Sequence, residues 1–294
     1  MITIFTIPKS FEGHTSVIQT NSIKSWLQIV PADRVVLFGE ETGIAETAAE
    51  LGVVHEAVIA RNSHGTPLLN DAFEKAHRMS ETAFLCYVNC DIVLTSGFLH
   101  AFSQLKNRYR LFLAIGRRVD VSIDHLIDFT EDWEKRLAAI VHATGCLHNH
   151  SGIDYFLFSK SLFKKIPAFA VGRVGWDNWM ISHAVKSEVP VIDMTDSFKA
   201  IHQNHDYSHL RGGQKERDFG REAEDNFKLA GEQKNFFTIR DATHKLTPQG
   251  IQQRRDLYCI YRWIVERSDR NQFYNLLFKI LRFTSRMINK EKES

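Results

Sequence analysis

The stretch Tyr87-Val88-Asn89-Cys90-Asp91-Ile92-Val93-Leu94 places two polar side chains directly after a run of apolar residues. Residues 83–88 predict a buried strand, because an unbroken apolar run of this length is typical of a strand that is covered on both faces. Alternate residues of a strand lie on one face, so Asn89 and Asp91 are predicted to point into one pocket. Open α/β sheets hold ligands and metal ions at the carboxyl ends of their strands. Ordinary turn chemistry is the alternative interpretation, since Asn and Asp also favour turns.

Strand and helix patterns alternate through the first part of the chain. Helical spacing predicts a helix that begins at Thr66-Pro67, with Thr66 as its N-cap. The alternation predicts an α/β protein with a mostly parallel twisted sheet flanked by helices, similar to a Rossmann fold. The other predicted strands and helices of this part are strands at 2–7, 34–38, 53–60 and 111–115 and helices at 15–29, 44–51 and 97–105.

The later part of the chain is less regular. Residues 202–235 are polar with few apolar anchors, which predicts a long loop. From Pro248 onward the sequence is helical and basic. The remaining predictions are an acidic and then helical segment at 124–143, strands at 152–158 and 189–193, and helices at 160–165 and 179–186.

Composition excludes several classes of protein. The chain has 294 residues with 37 basic and 35 acidic side chains, and this balance gives no case for nucleic acid as a partner. Neither a Gly-x-Gly-x-x-Gly motif nor a Gly-Lys-Ser/Thr loop is present, which argues against a dinucleotide enzyme or a P-loop NTPase. The four cysteines form no Cys-x-x-Cys pair, and we expect a cytoplasmic protein without a signal peptide or a membrane span.

The apolar residues between 273 and 287 have helical spacing and alternate with lysine and arginine. This pattern fits a helix that lies on an anionic membrane surface, which would make the protein peripheral on the inner face of the membrane. The simpler interpretation is a helix that packs its apolar face on the rest of the protein.

Residues 172–179 read Gly-Arg-Val-Gly-Trp-Asp-Asn-Trp and place Asp177 between Trp176 and Trp179. Indole faces stack on sugar rings, and a carboxylate beside them can accept a proton from a sugar hydroxyl. The alternative is that Asp177 is only the N-cap of the following helix.

Residues 201–209 contain three histidines, and neutral imidazole is a common ligand of transition metals. We predict His202 and His205 as metal ligands together with Asp91, whereas a solvated loop rich in histidine is the alternative. A zinc site made from the three histidines alone is disfavoured, because no helix or cysteine supports their spacing.

Two further groups of residues sit at predicted strand ends. Arg117 and Arg118 suit contact with phosphate or sugar oxygens, or they form a surface charge cluster. Asp154 can hold a sugar hydroxyl of an acceptor or can simply be a partly exposed residue at a strand start.

In this order, residues 87–94, 172–179 and 201–209 resemble the motifs of nucleotide-sugar glycosyltransferases with the GT-A fold, family 2-like enzymes of the bacterial surface-polysaccharide type. In that family an Asp-x-Asp element holds a divalent ion against the donor diphosphate, a Trp-Gly-Trp-Glu-Asp type segment supplies the general base, and a late histidine completes the metal site. The resemblance covers residues 1–210. It departs from the family pattern at Asn89, which stands where the first acid of Asp-x-Asp is expected.

The resemblance implies a transferase that moves a hexosyl or related sugar from a UDP-, GDP- or dTDP-sugar to a glycan or a lipid-linked acceptor. It implies Mn²⁺ or Mg²⁺ as cofactor at Asp91, inversion with Asp177 as base, and acceptor contacts from Asp154, Trp176 and Trp179. Retention of configuration remains open, and so do a nucleotidyltransferase and a non-catalytic glycan-binding protein. The implied donor-binding residues are Thr6, Pro8, Glu40, Arg61, Asn62, Asn70, Asn89, Asp91, Arg117 and Arg118.

The domain organisation follows the same scheme. We expect one glycosyltransferase domain over residues 1–247, with a nucleotide-sugar-binding half at 1–115 and an acceptor half at 116–247. Residues 248–294 are expected to form a basic helical extension.

Overall fold

The computed structural model of the protein describes residues 1–205, 213–232 and 236–268. It has two compact units, Met1–Gln252 and Gln253–Ser294. The strands are β1 (Ile2–Thr6), β2 (Val35–Phe38), β3 (Val54–Glu56), β4 (Phe84–Val88), β5 (Ile92–Val93), β6 (Leu113–Ile115), β7 (Arg118–Val121), β8 (Cys146–Leu147), β9 (Tyr155–Ser159), β10 (Val191–Asp193), β11 (Ala200–Gln203), β12 (His244–Thr247) and β13 (Gly250–Gln253). The helices are α1 (Gly13–Leu27), α2 (Ile44–Leu51), α3 (Leu69–Met79), α4 (Ser96–Arg108), α5 (Trp133–Thr144), α6 (Trp176–Lys186), α7 (Gly213–Phe219), α8 (Arg221–Leu229) and α9 (Leu257–Ser268).

A nine-stranded sheet forms the centre of the first unit, in the order β13-β12-β10-β6-β9-β4-β1-β2-β3. Strand β9 runs antiparallel to both of its neighbours, whereas β1 is parallel to β2 and β4, and β10 is parallel to β6 and β12. The predicted α/β fold with a mostly parallel sheet flanked by helices is confirmed.

Both faces of this sheet are covered by helices. Along β1, Ile2 and Ile4 belong to one hydrophobic cluster and Phe5 to another, as the alternation of side chains in a strand requires. Helices α1, α2 and α4 contribute to the first cluster, and α3 and α6 contribute to the second.

A second sheet has the order β5-β11-β7-β8, with α5 packed against it. Three strands of the large sheet, β4, β6 and β10, are each followed along the chain by a strand of the small sheet, β5, β7 and β11. The polar residues of the three connections and of the strands that follow them are therefore brought to one junction between the sheets.

Several predicted element boundaries are wrong. Helix α3 begins at Leu69 rather than near Thr66, because Pro67 and Leu68 form bridges with Arg61 and Ala170. Turns follow β9 where a helix was predicted at 160–165, and β9 itself starts only at Tyr155.

The predicted loop at 202–235 is also wrong over most of its described part. It contains the end of β11 and the two helices α7 and α8. After Pro248 the chain first forms β13 and only then α9, so the extension is not helical from its start. The amphipathic pattern at 273–287 lies outside the described residues. No helix among the described residues is long and apolar enough to cross a membrane.

The aromatic cluster under α3 generates a stability prediction. The Phe73 ring is buried and contacts the rings of Phe5, Tyr87, Phe158 and Phe163. We expect Phe73→Ala to lower the free energy of unfolding by about 3–5 kcal/mol, because a cavity replaces these contacts. Urea denaturation followed by circular dichroism measures the change.

The matched control is Phe219→Ala, since the Phe219 side chain is 75% exposed. We expect this control to change stability by less than about 0.5 kcal/mol. Equal effects of the two variants would contradict the cluster's role in stability.

Candidate active site

Asp91 lies in the turn between β4 and β5, and its backbone is fixed by β11. Its carbonyl oxygen accepts a hydrogen bond from the Gln203 backbone N–H at 3.1 Å. The predicted common strand face for Asn89 and Asp91 is wrong, because β4 ends at Val88. Asn89 Nδ2 donates to Asp154 Oδ1 at 2.6 Å.

Two histidines approach the Asp91 carboxylate, as the sequence predicts. Asp91 Oδ2 lies 3.1 Å from His205 Nε2 and 3.8 Å from His202 Nε2. One ligand atom from each of the three residues lies within 4.8 Å of the others. Asp91 Oδ1 is buried and makes no hydrogen bond. His209, the third histidine of this segment, lies outside the described residues.

This arrangement fits a divalent metal ion. Metal–ligand distances to imidazole nitrogen and carboxylate oxygen are about 2.0–2.2 Å, so three ligands of one ion lie within roughly 4.5 Å of one another. The buried Asp91 Oδ1 offers a further oxygen on the same carboxylate. Two imidazoles and one carboxylate suit first-row transition metals.

The electrostatics of the cluster also suit metal binding. Burial by itself raises the pKa of Asp91, but His202 and His205 outweigh it and hold that pKa below its usual range. Burial lowers the pKa of His202, which favours the neutral imidazole with a free lone pair. Lys9, in the loop after β1, adds a smaller effect that also lowers the pKa of Asp91, so this loop reaches the same junction.

Asp120 on β7 links the metal cluster to the arginines, a role that the sequence analysis missed. Asp120 Oδ1 lies 2.9 Å from His202 Nδ1 and 2.8 Å from Arg118 Nε. Asp120 Oδ2 lies 2.6 Å from His148 Nδ1. Arg118 and Asp120 are two residues apart on one strand, so the alternation rule was the signal that could have found this pair.

The two arginines that were predicted to contact the donor are already bound to protein groups. Arg118 Nη1 donates to Asp154 Oδ2 at 2.8 Å, and Arg117 Nε donates to the His148 carbonyl at 2.7 Å. The alternative of a surface charge cluster is wrong for Arg118, because its side chain is only 13% exposed. Phosphate contact by either guanidinium stays a prediction.

Asp177 interacts electrostatically with Asp154, which belongs to the same network of contacts as Arg118. Asp154 precedes β9 and is bound to Asn89 and Arg118. Burial chiefly, and also the nearby Asp154 carboxylate, raise the pKa of Asp177 to about 6, although backbone N–H groups of Asn178 and Gly175 oppose the shift. A carboxyl group with this pKa suits general base catalysis near neutral pH.

Asp177 is not the N-cap of α6. The helix begins one residue earlier, at Trp176, and its N-cap is Gly175. Gly175 has φ of 105°, a left-handed conformation that favours glycine. Asp177 therefore lies in the first turn, where its Oδ1 accepts a 3.3 Å hydrogen bond from the Gly175 N–H.

The two tryptophans contribute to packing rather than to an open stacking surface. Trp176 is 6% exposed, and its ring contacts those of Tyr87 and Phe156. Trp179 stacks on His183 with ring centres 4.7 Å apart. The predicted sugar-stacking role conflicts with the burial of Trp176. The contacts of Trp176 instead hold the start of α6 against β4 and β9.

Helix α8 supports the segment that leads to Asp177. Arg173 Nη2 donates to Glu222 Oε2 at 2.6 Å, with both side chains 10% exposed. The buried side chain of Asn226 forms two hydrogen bonds with the backbone of Ala170, at 2.9 and 3.0 Å. Glu222 and Asn226 were not predicted as part of the site, because they lie in the stretch at 202–235 that was predicted as a loop.

The predicted donor-binding residues from the first strands fall into two places. Arg61 lies 2.9 Å from Glu41 and 3.8 Å from Glu40, after neighbouring strands. Asn62 instead donates to Glu222 Oε1 at 2.6 Å, so it joins the α8 contacts.

Three other predicted donor residues are largely enclosed by protein. Pro8 is buried in the loop after β1, where the Gln19 side chain bonds both the N–H and the carbonyl of Lys9 at 2.7 and 2.9 Å. Thr6 Oγ1 and Asn70 Oδ1 are buried without a hydrogen-bond partner. Donor contact by these residues stays a prediction.

Comparisons with protein-family models and with curated proteins find no match. Among solved structures, the chain is similar to glucosyl-3-phosphoglycerate synthase from Mycobacterium tuberculosis in complex with Mn²⁺, UDP and phosphoglyceric acid. The identity is 14%, the TM-score is 0.49, and the match covers 79% of each chain. The complex of that enzyme with UDP matches at 15% identity and a TM-score of 0.48, over 79% of this chain and 80% of the other. A structure described as a mycobacterial protein matches at 14% identity and a TM-score of 0.48, over 79% and 75% of the two chains.

The raised pKa of Asp177 generates a prediction about stability and pH. The folded protein keeps a proton on Asp177 up to pH 6, whereas the unfolded chain loses it near pH 4, so ionisation of this residue makes the fold less stable as pH rises through this window. We expect Asp177→Asn to raise the free energy of unfolding by about 1–3 kcal/mol at pH 7 and to have little effect below pH 4.

Urea denaturation between pH 4 and pH 7 measures this difference. The control is Asp33→Asn, which removes a carboxylate that is 72% exposed. Parallel pH profiles of the wild type and the Asp177→Asn variant would contradict the raised pKa.

Proposed function

We propose that this chain is a nucleotide-sugar glycosyltransferase of the GT-A type. It transfers a hexosyl or related sugar from a nucleotide-diphosphate donor to a hydroxyl of a glycan or a lipid-linked acceptor. The observation that carries the proposal is the junction between the two sheets. It combines a candidate divalent-metal cluster of Asp91, His202 and His205 with a carboxyl group, Asp177, whose pKa suits a general base.

Asp91, His202 and His205 would hold Mn²⁺ or Mg²⁺, and we favour Mn²⁺ because two of the three ligands are imidazoles. When bound, a divalent ion neutralises negative charge on the donor diphosphate. Asn89 stands where the family has a carboxylate, but it is not proposed as a metal ligand, because its amide is bonded to Asp154. His205, which contacts Asp91 directly, supplies the additional ligand instead.

The chemical step that we propose is a single displacement with inversion. Asp177 removes the proton from the acceptor hydroxyl as that oxygen attacks the anomeric carbon. The first turn of α6 fixes Asp177, and the rings of Trp176, Tyr87 and Phe156 fix that turn against β4 and β9. Asp154 lies close enough to influence the pKa values of both Asp177 and His202, which supports a base near the proposed metal cluster.

The three alternative functions would each require different features of the site. A nucleotidyltransferase normally carries a glycine-rich loop with lysine or arginine after its first strand, and residues 8–13 of this chain, Pro-Lys-Ser-Phe-Glu-Gly, match it poorly. A retaining transferase uses the same metal cluster but needs no base for the acceptor hydroxyl. A non-catalytic glycan-binding protein needs neither Asp177 nor the metal.

The first prediction of this proposal concerns donor binding. We expect a nucleoside diphosphate or a UDP-, GDP- or dTDP-sugar to raise the melting temperature with increasing ligand concentration, and to do so more strongly with Mn²⁺ present. The measurement is a thermal-shift titration of each nucleotide with and without Mn²⁺.

The Asp91→Asn variant is expected to lose the Mn²⁺-dependent part of this shift. Asp124→Asn is the matched control, since Asp124 is 94% exposed and pairs with the neighbouring His125. If no nucleotide stabilises the wild type under either condition, the donor site is wrong and a non-catalytic role becomes the better explanation.

The second prediction separates chemistry from binding. We expect Asp177→Asn to lower the transfer rate by about 10²–10⁴-fold, because the acceptor hydroxyl loses its base. The affinity for the nucleoside diphosphate should be unchanged, since Asp177 is not a metal ligand. Product formation from a radiolabelled nucleotide sugar measures the rate, and calorimetric titration measures the affinity. Near-normal turnover of this variant would show that Asp177 is not the base.

A further inference from the structure

Asp120 on β7 lies directly opposite His202, one of the predicted metal ligands. Strands β7 and β11 pair in parallel, and their register places Asp120 across from His202. The side chains meet with Asp120 Oδ1 2.9 Å from His202 Nδ1. The other ring nitrogen, Nε2, faces Asp91 Oδ2 at 3.8 Å.

We infer that Asp120 is a positioning residue, which orients His202 for metal binding and fixes its tautomer. This inference rests on the metal site of the proposed function. A neutral imidazole carries its proton on one nitrogen and offers a lone pair on the other. A carboxylate beside Nδ1 keeps the proton there, so the lone pair of Nε2 points to the side where Asp91 and His205 lie.

The buried polar atoms around Asp120 support this role. His202 Nδ1, Asp120 Oδ1 and Arg118 Nε are all buried, and none makes an aligned hydrogen bond. The two nitrogens nevertheless lie within 2.9 Å of the same carboxylate oxygen. A hydrogen bond from either nitrogen to this carboxylate oxygen is stronger than one between neutral groups.

The second oxygen of the Asp120 carboxylate, Oδ2, is also held in place. Asp120 Oδ2 lies 2.6 Å from His148 Nδ1. The position of His148 depends on Arg117, which donates to its carbonyl oxygen, and on Gly152, where a Cβ atom would lie 2.2 Å from the His148 ring. The Asp120 carboxylate is thus held by His148 and Arg118 while it contacts His202.

These contacts also give Arg118 a structural role that involves no substrate. Its guanidinium joins Asp120 to Asp154, and Asp154 in turn bonds Asn89. The orientation of the metal ligand His202 is thereby coupled to the acceptor side of the site. Loss of the Asp120 carboxylate would leave His202 free to rotate. It would also remove one of the two carboxylates that pair with the Arg118 guanidinium.

The test is direct Mn²⁺ binding to the full chain, measured by electron paramagnetic resonance of free Mn²⁺ without any nucleotide. We expect Asp120→Asn to weaken Mn²⁺ binding by about 10–100-fold, the range seen when groups that orient a metal ligand are lost. The Co²⁺ absorption spectrum of the variant should also change, because the ligand geometry changes. Asp124→Asn is the matched control, since it removes an exposed carboxylate that also contacts a histidine, four residues further along the chain.

The outcomes separate this inference from the proposed function. If Asp120→Asn binds Mn²⁺ as the wild type does while Asp91→Asn does not, the inference is overturned and the metal site stands. If the wild type binds no Mn²⁺, both are overturned. If Asp120→Asn gives no cooperative melting transition, His148→Gln replaces it, because this change leaves the Asp120 carboxylate in place but removes one contact that holds it. Weaker Mn²⁺ binding by a folded His148→Gln variant supports the inference, and unchanged binding overturns it.

Discussion

The need to stabilise a buried carboxylate, Asp91, is the constraint on which the site depends. A buried charge is costly unless other groups compensate it, and Asp91 Oδ1 has no hydrogen bond of its own. The other oxygen lies 3.1 Å from His205 Nε2 and 3.8 Å from His202 Nε2. These groups, which would be unfavourable alone, could together hold a divalent ion.

The two sheets bring these groups together. The chain passes three times from the large sheet to the small sheet, and each passage brings charged or polar residues to the junction. Asp91 lies in the first passage, Arg117 in the second, and His202 on the strand that follows the third. Gln203, which is completely buried, fixes this arrangement because its side chain bonds the Ile18 carbonyl of α1 while its backbone N–H bonds Asp91.

The segment that carries Asp177 is supported by a different part of the protein. Helix α6 presents Asp177, but helix α8 holds the segment before it through the Arg173–Glu222 ion pair and the Asn226 contacts. Breaking a buried ion pair by removing one partner is usually costly. A change in α8 is therefore expected to influence the base although α8 contributes no group to the proposed chemistry.

The sequence by itself determined the α/β class, most strands of the large sheet, and the grouping of Asp91, His202 and His205. Apolar runs and helical spacing depend on local periodicity, and α2 at Ile44–Leu51 has the predicted boundaries. The tertiary structure alone decided where β4 ends, and hence that Asn89 bonds Asp154 rather than sharing a face with Asp91. It also decided that Trp176 packs in the core, that α8 supports the Asp177 segment, and that Asp120 faces His202. These relations join residues far apart in sequence through strand register and burial, which a local pattern does not encode.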